Sequence, residues 1–289
     1  MKKIIITFII MVLFLAIVIG NCSEDSNIDE ESLSLVGSEK NEKIEEYREE
    51  NTIKINYPTL CDTTAIEIPS SKIFSSEKKL VKTAYIASYN KDTKCPNWVA
   101  WHLTKNHTDG AFKRLNNFHE EEDVPIPRAT SDDYSGSGWS RGHMCPAGDN
   151  KWNEAAMYES FSLVNVCPQN ANLNSGLWNS LEIDCRRWAR KYGDIYIVCG
   201  PIFLNKDHEC IGINEVIVPE AFFKVVLCLN GEPKAFGVIV RNTDGNKKRD
   251  LYYNSVDQVE RITGIDFFPA LPDDIENKVE AVVDIEKWK

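Results

Sequence analysis

The sequence predicts an α+β domain with a largely antiparallel central sheet flanked by helices, and three observations support this class. Short runs rich in β-branched and aromatic residues recur between residues 83 and 242, as expected for strands. Strands and helices follow no repeating strand–helix–strand period, which a parallel sheet would require. Asn230 and Gly231 separate two strand-like runs, and this dipeptide is a strong signal for an antiparallel hairpin.

Four segments are predicted to supply the strands. The first two alternate or cluster apolar residues, and the third is a nearly continuous apolar run that reaches Gly200 and Pro201, as is typical of a central strand. The fourth is the hairpin around Asn230. In chain order these segments cover residues 83–90, 97–104, 194–203 and 221–242.

Two segments are predicted to be helices. Residues 153–164 form a short run, and residues 174–193 form a longer one. Gly193 is suited to end the longer helix, because glycine readily adopts the left-handed conformation found at helix C-termini. These are the helices that we expect to flank the sheet.

The first 21 residues are predicted to be an export signal. Lys2 and Lys3 precede an uncharged apolar run over residues 4–20, and "IGNC" is then followed by a sharply polar segment. The pattern is similar to a bacterial lipoprotein signal, with Cys22 as the lipidated first residue. A plain secretory signal stays open as an alternative. An uncleaved membrane helix also stays open, because the apolar run is long enough to span a bilayer. We expect an exported protein of the cell envelope, anchored to a membrane.

The acidic residues lie mostly outside the predicted main domain. Residues 22–54 are predicted to be a flexible acidic tether, because they carry many like charges and few large apolar side chains. The net charge of the chain is −11, yet residues 51–272 carry 27 acidic and 25 basic residues. Charge therefore neither supports nor excludes a nucleic-acid partner. The main domain is predicted at 55–272, and a helical appendage at 273–289.

Disulfide bonds are predicted because an exported protein meets oxidising conditions. The chain has nine cysteines, and eight remain once Cys22 is assigned to lipid attachment. Their spacings do not match those of a zinc site. Pairing of neighbours along the chain is the simplest hypothesis, and it gives 61 with 95, 145 with 167, 185 with 199, and 210 with 228.

The residues that could carry chemistry lie between 134 and 186. His143 follows a Gly- and Ser-rich approach and precedes a turn at Pro146, so it is expected to project from a short strand or hairpin. An imidazole titrates near neutrality and suits a general base. Asn174 offers an amide oxygen, a hard ligand suitable for Mg²⁺. Such a base and cation are what hydrolysis of a phosphodiester needs.

Helix geometry limits how Asn174 and Glu182 could share an ion. On one continuous helix, eight residues rise by about 12 Å. Two arrangements stay open: either Glu182 orients a metal-bound water, or the helix begins just after Asn174. Glu182 and Arg186 are four residues apart, so each could hold the orientation of the other. Arg141 and Arg114 could supply guanidinium groups to phosphate.

Each of these residues alone has an ordinary alternative. A histidine in a glycine-rich loop is commonly a surface residue, and an asparagine near a helix start is commonly a cap. A Glu and an Arg four residues apart are commonly a solvated pair. The residues taken singly thus leave metal-assisted hydrolysis as one hypothesis among several.

The segments "SRGH", "NVCPQ" and "LNSGLWNSLE" stand in the same order and with the same gaps as the signature of a known family. In this respect the chain resembles the DNA/RNA non-specific endonucleases, the ββα-metal or His-Me finger nucleases. The resemblance implies a ββα-metal fold, Mg²⁺ or in its place Mn²⁺ as cofactor, DNA and RNA as substrates, and products with 5′-phosphate ends.

The resemblance also implies roles for individual residues. His143 resembles the general base, and Asn174 the single protein ligand to Mg²⁺. Glu182 resembles the acid that fixes the water shell of the ion, and Asn165 a site asparagine. The arginines that contact phosphate or organise the site are Arg114, Arg141 and Arg186.

One position departs from the family pattern. The aspartate before Arg-Gly-His is Ser140 here. If that charge only organises the hairpin, activity should survive its absence, and if it tunes the site, turnover should fall. Two other readings stay open: a nuclease toxin of the same fold, and a weak or inactive envelope lipoprotein that only binds nucleic acid.

Overall fold

The computed structural model describes residues 65–74, 76–245 and 248–289, and all of these belong to one compact unit. Its strands are β1 (Lys78–Val81), β2 (Ile86–Asn90), β3 (Cys95–Thr104), β4 (Ser140–His143), β5 (Val166–Gln169), β6 (Asp194–Ile202), β7 (Cys210–Ile211), β8 (Val216–Ile217), β9 (Ala221–Cys228), β10 (Lys234–Arg241) and β11 (Tyr253–Asn254). Its helices are α1 (Ser131–Tyr134), α2 (Glu154–Ser160), α3 (Ala171–Leu173), α4 (Asn179–Tyr192), α5 (Val256–Thr263) and α6 (Asp273–Glu280). The predicted signal, Cys22, the tether, residues 55–64 and Cys61 lie outside the described residues.

A seven-stranded sheet forms the centre of this unit, in the order β1-β2-β3-β6-β9-β10-β11. Every neighbouring pair is antiparallel, which confirms the predicted class. The sequence places the central strands here because β3, β6 and β9 are apolar on both faces, and their residues are buried almost without exception. The predicted hairpin is β9–β10, with Cys228 opposite Lys234 and Gly231 at φ 78° in the connection.

A separate two-stranded hairpin, β4–β5, precedes the long helical run. His143 pairs with Val166 at one end of the hairpin, and Ser140 pairs with Gln169 at the other. Gly142 lies between them because a Cβ there would stand 2.3 Å from Oε1 of Gln169, so a larger residue would collide with the opposite strand. This close approach explains why glycine stands before the histidine.

The helical run extends from α3 to the end of α4 and includes a π-helical turn, Asn174–Trp178. The Asn170 side chain caps its beginning by accepting hydrogen bonds from the backbone N–H groups of Asn172 and Leu173. Gly193 ends it at φ 99°, as predicted. The run therefore begins before Asn174, so of the two arrangements left open by the sequence, the one in which a helix begins just after Asn174 is not formed.

The sheet has an apolar core on each face. On one face the hairpin and α4 pack over a cluster that includes Trp101, Trp178 and Phe222. On the other face α5 and α6 pack over a cluster that includes Trp98 and Phe223. Alternate residues of β9 thus serve opposite cores, as the period of a strand requires. Burying each large apolar side chain contributes about 1.5–3 kcal/mol.

Residues 273–289 are α6 and a 3₁₀ turn, Ile285–Trp288, and they pack onto the rest of the unit. Trp288 is buried, and its ring centroid lies 5.0 Å from that of Trp188 and 4.9 Å from that of Phe236. Trp188 Nε1 donates to the Trp288 carbonyl at 2.8 Å. The last turn of the chain therefore completes the core of the main domain.

The predicted disulfide pairs are absent from the described residues. Cysteines 95, 145, 167, 185, 199, 210 and 228 are all free thiols, and all but Cys210 are buried. Several engage polar groups nearby: Cys199 Sγ donates to the Met144 carbonyl at 3.3 Å, and Asn150 Nδ2 donates to Cys145 Sγ at 3.5 Å. These cysteines pack as small core residues. The pairing hypothesis was wrong for 145–167, 185–199 and 210–228, and Cys61 of the fourth pair lies outside the described residues.

Within residues 65–289, so far as they are described, no helix has both the length and the apolar character required to cross a bilayer.

Candidate active site

A pocket of about 240 Å³ opens where the β4–β5 hairpin meets the helical run. The chain segments that form it are the end of β4, the turn that follows, the π-helical turn with the start of α4, and the segment that carries Arg114. Its lining consists of Arg114, Arg141, His143, Pro146, Ala147, Asn174, Ser175, Asn179 and Glu182. The structure therefore brings five of the seven predicted site residues together and leaves Asn165 and Arg186 outside the lining.

His143 lies at the end of β4, and only 6% of it is exposed. The rings of Phe118 and Phe161 stand 5.2 and 4.9 Å from the imidazole, centroid to centroid. Burial, with a smaller contribution from Arg114, lowers the pKa of His143 to about 3. Its Nε2 has no hydrogen-bond partner within the described part of the chain. The imidazole is therefore neutral at physiological pH, and its low pKa makes it a weaker base than a solvated histidine, which departs from the titration near neutrality expected from the sequence.

Asn165 does not face the pocket; it fastens the turn that follows His143. Its side-chain oxygen accepts from the Cys145 N–H at 2.8 Å, and its amide donates to the carbonyls of Cys145 and Ser160, each at 2.8 Å. The residue is completely buried. All three of these side-chain hydrogen bonds are made to backbone groups, so Asn165 acts on the site by holding this turn in place.

Asn174 is the first residue of the π-helical turn. A π-helical turn widens the helix locally and changes the direction in which the following residues project. Asn174 and Glu182 thereby line one pocket from a single helical run, although eight residues separate them. In the described part of the chain, neither side chain has a protein hydrogen-bond partner, so both present free oxygens.

Glu182 is partly buried at the inner side of the pocket. Burial raises its pKa to about 7, against the opposing effect of Lys224 and, less strongly, of Arg186 and Arg114. The nearby carboxylate of Asp149 raises it as well. Without a bound cation, this carboxyl group therefore sits near the midpoint of its titration at neutral pH.

The guanidinium groups of Arg141 and Arg114 each lie over an aromatic ring beside the pocket. Arg141 Cζ lies 5.3 Å from the Phe118 ring centroid, and its Nη2 donates to the Ser131 carbonyl at 2.7 Å. Arg114 is exposed, and its Cζ lies 5.4 Å from the Phe161 ring centroid. The two rings that wall His143 thus also position the two cations of the pocket.

Arg186 is paired with a residue that the sequence did not indicate. Its Nη1 lies 2.7 Å from Oδ1 of Asp149, whose side chain is 2% exposed. A Cβ at Gly148 would stand 2.7 Å from the same Nη1, so glycine lets the guanidinium approach the backbone. The expected mutual support of Glu182 and Arg186 is replaced by this ion pair. Arg186 therefore fixes the turn below the pocket.

Lys224 is a completely buried cation whose charge lowers the pKa of Glu182. Its Nζ has no hydrogen-bond partner among the described residues, and it lies 4.6 Å from the Trp178 ring centroid and 5.1 Å from that of Trp101. Cation–π contacts of a desolvated ammonium are worth about 2 kcal/mol. Burial lowers the pKa of Lys224, but Cys199, Cys185, Glu182 and the other neighbouring groups outweigh this effect and raise it.

The two indoles connect this lysine to the rest of the site. Trp178 Nε1 donates to the His143 carbonyl at 3.3 Å, and Trp101 Nε1 donates to Asp149 Oδ2 at 3.1 Å. Lys224, Asp149 and both tryptophans were missed from the sequence. One signal was present: Lys224 is the only charged residue in the apolar strand "AFFKVVLC", and a lysine is almost never fully buried without a specific environment.

A larger cavity of about 780 Å³ lies beside the site, with Phe118 in its wall. Five carboxylates line it, namely Glu120, Glu121, Glu122, Asp123 and Glu159. Lys82 and Arg128 neutralise part of this charge through ion pairs with Glu121 and Glu120. The remaining negative charge makes this cavity unfavourable for a phosphate group.

The family model that matches the chain is that of the DNA/RNA non-specific endonucleases, over residues 62–274. Mitochondrial nuclease EXOG of Xenopus laevis is 37% identical over 204 residues, which is 65% of this chain and 57% of that protein. Nuclease C1 of Cunninghamella echinulata var. echinulata is 35% identical over 209 residues, covering 66% of this chain and 83% of that protein.

A solved structure of the EndoG/EndoGI complex has the same fold. It aligns with a TM-score of 0.64 at 28% identity, covering 68% of this chain and 87% of that chain. The match to nuclease EXOG covers less than two thirds of the length of the Xenopus laevis and Homo sapiens proteins, 57% and 56% respectively.

Proposed function

The chain belongs to the DNA/RNA non-specific endonuclease family, with its ββα-metal fold, and from this we propose that it hydrolyses phosphodiester bonds of DNA and RNA to leave 5′-phosphate ends. One observation carries the proposal most directly. A neutral histidine, an amide oxygen and a carboxylate that could bind a metal ion, and two guanidinium groups all line a single pocket.

The donor set of the pocket fits a hard divalent cation. Asn174 offers an amide oxygen and Glu182 a carboxylate, and Mg²⁺ prefers such oxygen ligands while keeping several of its waters. We propose that Asn174 holds the ion and that Glu182 holds its water shell. When bound, Mg²⁺, or Mn²⁺ in its place, supplies positive charge to the phosphoryl oxygens and to the departing oxygen.

His143 is proposed to act as the general base. Its neutral imidazole accepts a proton from the attacking water as the new O–P bond forms and the bond from phosphorus to the 3′ oxygen breaks. The phosphate then remains on the 5′ side. Phe118 and Phe161 flank the ring and limit its contact with bulk water.

Arg114 and Arg141 are proposed to hold the scissile phosphate and to absorb its growing negative charge. Such contacts reach the sugar–phosphate backbone, which carries no sequence information. This supports the proposed lack of preference for sequence and for sugar. Arg186 and Asn165 act indirectly, because each fixes one side of the turn between His143 and Asp149.

The test is digestion of plasmid DNA and of a structured RNA by the purified protein, with Mg²⁺ and then with excess chelator. We expect cleavage of both substrates that chelator abolishes. His143→Ala should reduce the rate by about 10²–10⁴-fold. His119→Ala is the matched control, since His119 stacks on Tyr158 and lines the acidic cavity instead.

The ends of the products test the direction of bond cleavage. Fragments with a 5′-phosphate accept a label from polynucleotide kinase only after phosphatase treatment. Tight nucleic-acid binding without cleavage by the folded wild-type chain would replace the nuclease proposal with that of a binding protein.

We also propose that the chain is exported and anchored through lipid on Cys22, on the basis of the N-terminal pattern "IGNC". The experiment is fractionation of cells that produce the wild-type chain or Cys22→Ala, with metabolic labelling by a fatty acid. Label and membrane association should both be lost in the variant. An unlabelled wild-type chain that stays in the membrane would instead support an uncleaved helix.

A further inference from the structure

Three carboxylates from two helices meet on the sheet face opposite the active site. Asp257 and Glu260 belong to α5, and Glu280 is the last residue of α6. One carboxylate oxygen from each lies within 4.8 Å of the others. Both helices pack on the core that contains Trp98 and Phe223, whereas the catalytic pocket belongs to the other face. The cluster is therefore separate from the proposed nuclease site.

Glu280 is an unusual member of this cluster because it is buried without a partner. Only 7% of the residue is exposed, and its Oε1 has no hydrogen-bond partner among the residues that the structure describes. A buried polar atom without a partner costs free energy, and a buried carboxylate without a counter-charge costs much more. The position therefore calls for a group that lies between Glu280 and its neighbours.

No positive side chain supplies that group. Among the described residues, no Lys, Arg or His forms an ion pair with Asp257, Glu260 or Glu280. Burial is the main cause that raises the pKa of Glu280 to about 9, and the surrounding acids Glu260, Glu276, Asp257 and Asp266 raise it further. The Phe267 N–H donates to Glu260 Oε1 at 2.8 Å, but within the described residues no cationic side chain compensates the three carboxylates.

We propose that Asp257, Glu260 and Glu280 bind a divalent cation of the Ca²⁺ type that joins α5 to α6. Hard carboxylate oxygens are the ligands that Ca²⁺ takes, at about 2.3–2.6 Å, so two ligands on opposite sides of one ion lie up to about 5 Å apart. The observed spacing falls within this limit. Water molecules would complete the coordination on the side of Asp257 and Glu260, which are less buried than Glu280.

The other way to satisfy Glu280 is a proton, which would make it a donor to a neighbouring carboxylate. The two alternatives give opposite results in a binding experiment. A protonated Glu280 needs no cation, and stability would not respond to Ca²⁺ at neutral pH. A cation site binds Ca²⁺ stoichiometrically and stabilises the fold by mass action.

Binding is measured on the full chain by equilibrium dialysis with radioactive Ca²⁺, and stability by thermal unfolding with and without Ca²⁺. We expect a Ca²⁺ ion that is retained in Asn174→Ala and lost in Glu280→Gln. Asn174→Ala removes the proposed catalytic ligand, so failure of the nuclease proposal cannot affect this outcome. At saturating Ca²⁺ the wild-type chain and Asn174→Ala should gain about 5 °C in Tm.

Asp257→Asn is the second variant, because it keeps shape and lies at a less buried position. Asp257→Asn should weaken Ca²⁺ binding, while Glu280, the buried ligand of the site, stays in place. Loss of Ca²⁺ binding in Asn174→Ala, or equal binding by wild type and a folded Glu280→Gln, would overturn the proposal. Absence of Ca²⁺ binding in the wild-type chain would assign the proton to Glu280 instead.

Discussion

Lys224 lies with its ammonium 4.6 Å from the ring centroid of Trp178, inside the apolar core, and no residue that the structure describes forms a hydrogen bond with it. The same indole donates to the carbonyl of His143. A single tryptophan thus contacts a buried cation through its ring and the strand of the proposed base through its N–H. The electrostatic properties of the pocket depend on this core as well as on the residues that line it.

The first prediction concerns the pH dependence of metal activation. Because the pKa of Glu182 is raised to about 7 in the metal-free protein, its protonated form predominates below that pH and its ionised form above it. Binding a cation requires the ionised form, so the Mg²⁺ concentration for half-maximal activity should rise as the pH falls below about 7, approaching tenfold per unit. His143 stays neutral across this range, since its pKa is about 3.

Initial rates over a matrix of pH and Mg²⁺ concentration measure this effect. Glu182→Gln carries no titrating group, so its Mg²⁺ requirement should be high and nearly independent of pH. A wild-type Mg²⁺ requirement that is also flat through neutrality would contradict the assigned role of Glu182.

The second prediction is that Lys224→Met moves this pH dependence upward. Lys224 is the main group that lowers the pKa of Glu182, so its removal should raise that pKa further above its ordinary value. Methionine has a similar shape and leaves no cavity of the size that alanine would. The measurement is again the Mg²⁺ requirement as a function of pH.

Lys234→Met is the control, because Lys234 also lies over an aromatic ring, 3.8 Å from the centroid of Tyr192, but does not line the pocket. A Lys224→Met profile that overlays the wild type, with only a lower Tm, would show that the buried lysine serves packing alone.

The third prediction is that Asp149→Asn destabilises the fold. Arg186 would lose its carboxylate while its side chain stays 16% exposed, and an unpaired charge of this kind costs about 3 kcal/mol. Trp101 would keep an acceptor, because asparagine retains a side-chain oxygen. The free energy of unfolding in urea measures the change.

Asp207→Asn provides the matched control for this experiment, since Asp207 is exposed and outside the site. Its free energy of unfolding should stay within about 0.5 kcal/mol of the wild type. An equally small change for Asp149→Asn would mean that the ion pair with Arg186 contributes little to stability.

The fourth prediction concerns Ser140, where the family pattern has an aspartate. Ser140 stands three residues before His143 on β4, which is about 10 Å along a strand, and it does not line the pocket. The hairpin pairs in register with serine at this position. Ser140→Asp should therefore change kcat/KM by less than about threefold, because Ser140 is partly exposed and a charge about one Debye length from the base is partly screened. A tenfold gain in a plasmid assay would show that the missing charge tunes the site.

Much of the site was predictable because its residues recur at fixed spacings along one hairpin and one helix. His143, Asn174 and Glu182 all line the pocket, as the order and gaps of the family signature implied, whereas the helix spacing of Asn174 and Glu182 alone left open how they could share an ion. The β9–β10 hairpin was predictable from its own residues, since Asn230 and Gly231 mark its turn.

The residues that were missed depend on contacts between distant parts of the chain. Arg186 turns toward Asp149, 37 residues away, although Glu182 is its neighbour on the helix. Lys224 lies in a strand whose pattern indicates only burial. The π-helical turn at Asn174 has no propensity signal, because one extra residue per turn is set by the packing around it. The even number of cysteines suggested disulfides, but seven of them are free thiols.

The seven-stranded sheet separates two apolar cores, one on each face, and the cores share little beyond the backbone of the sheet. Substitutions on the α5–α6 side and on the hairpin side touch different cores, so their effects on folding should add when combined in one chain. Substitutions on the α5–α6 face could therefore raise the thermal stability of the protein without changing turnover in the pocket on the hairpin face.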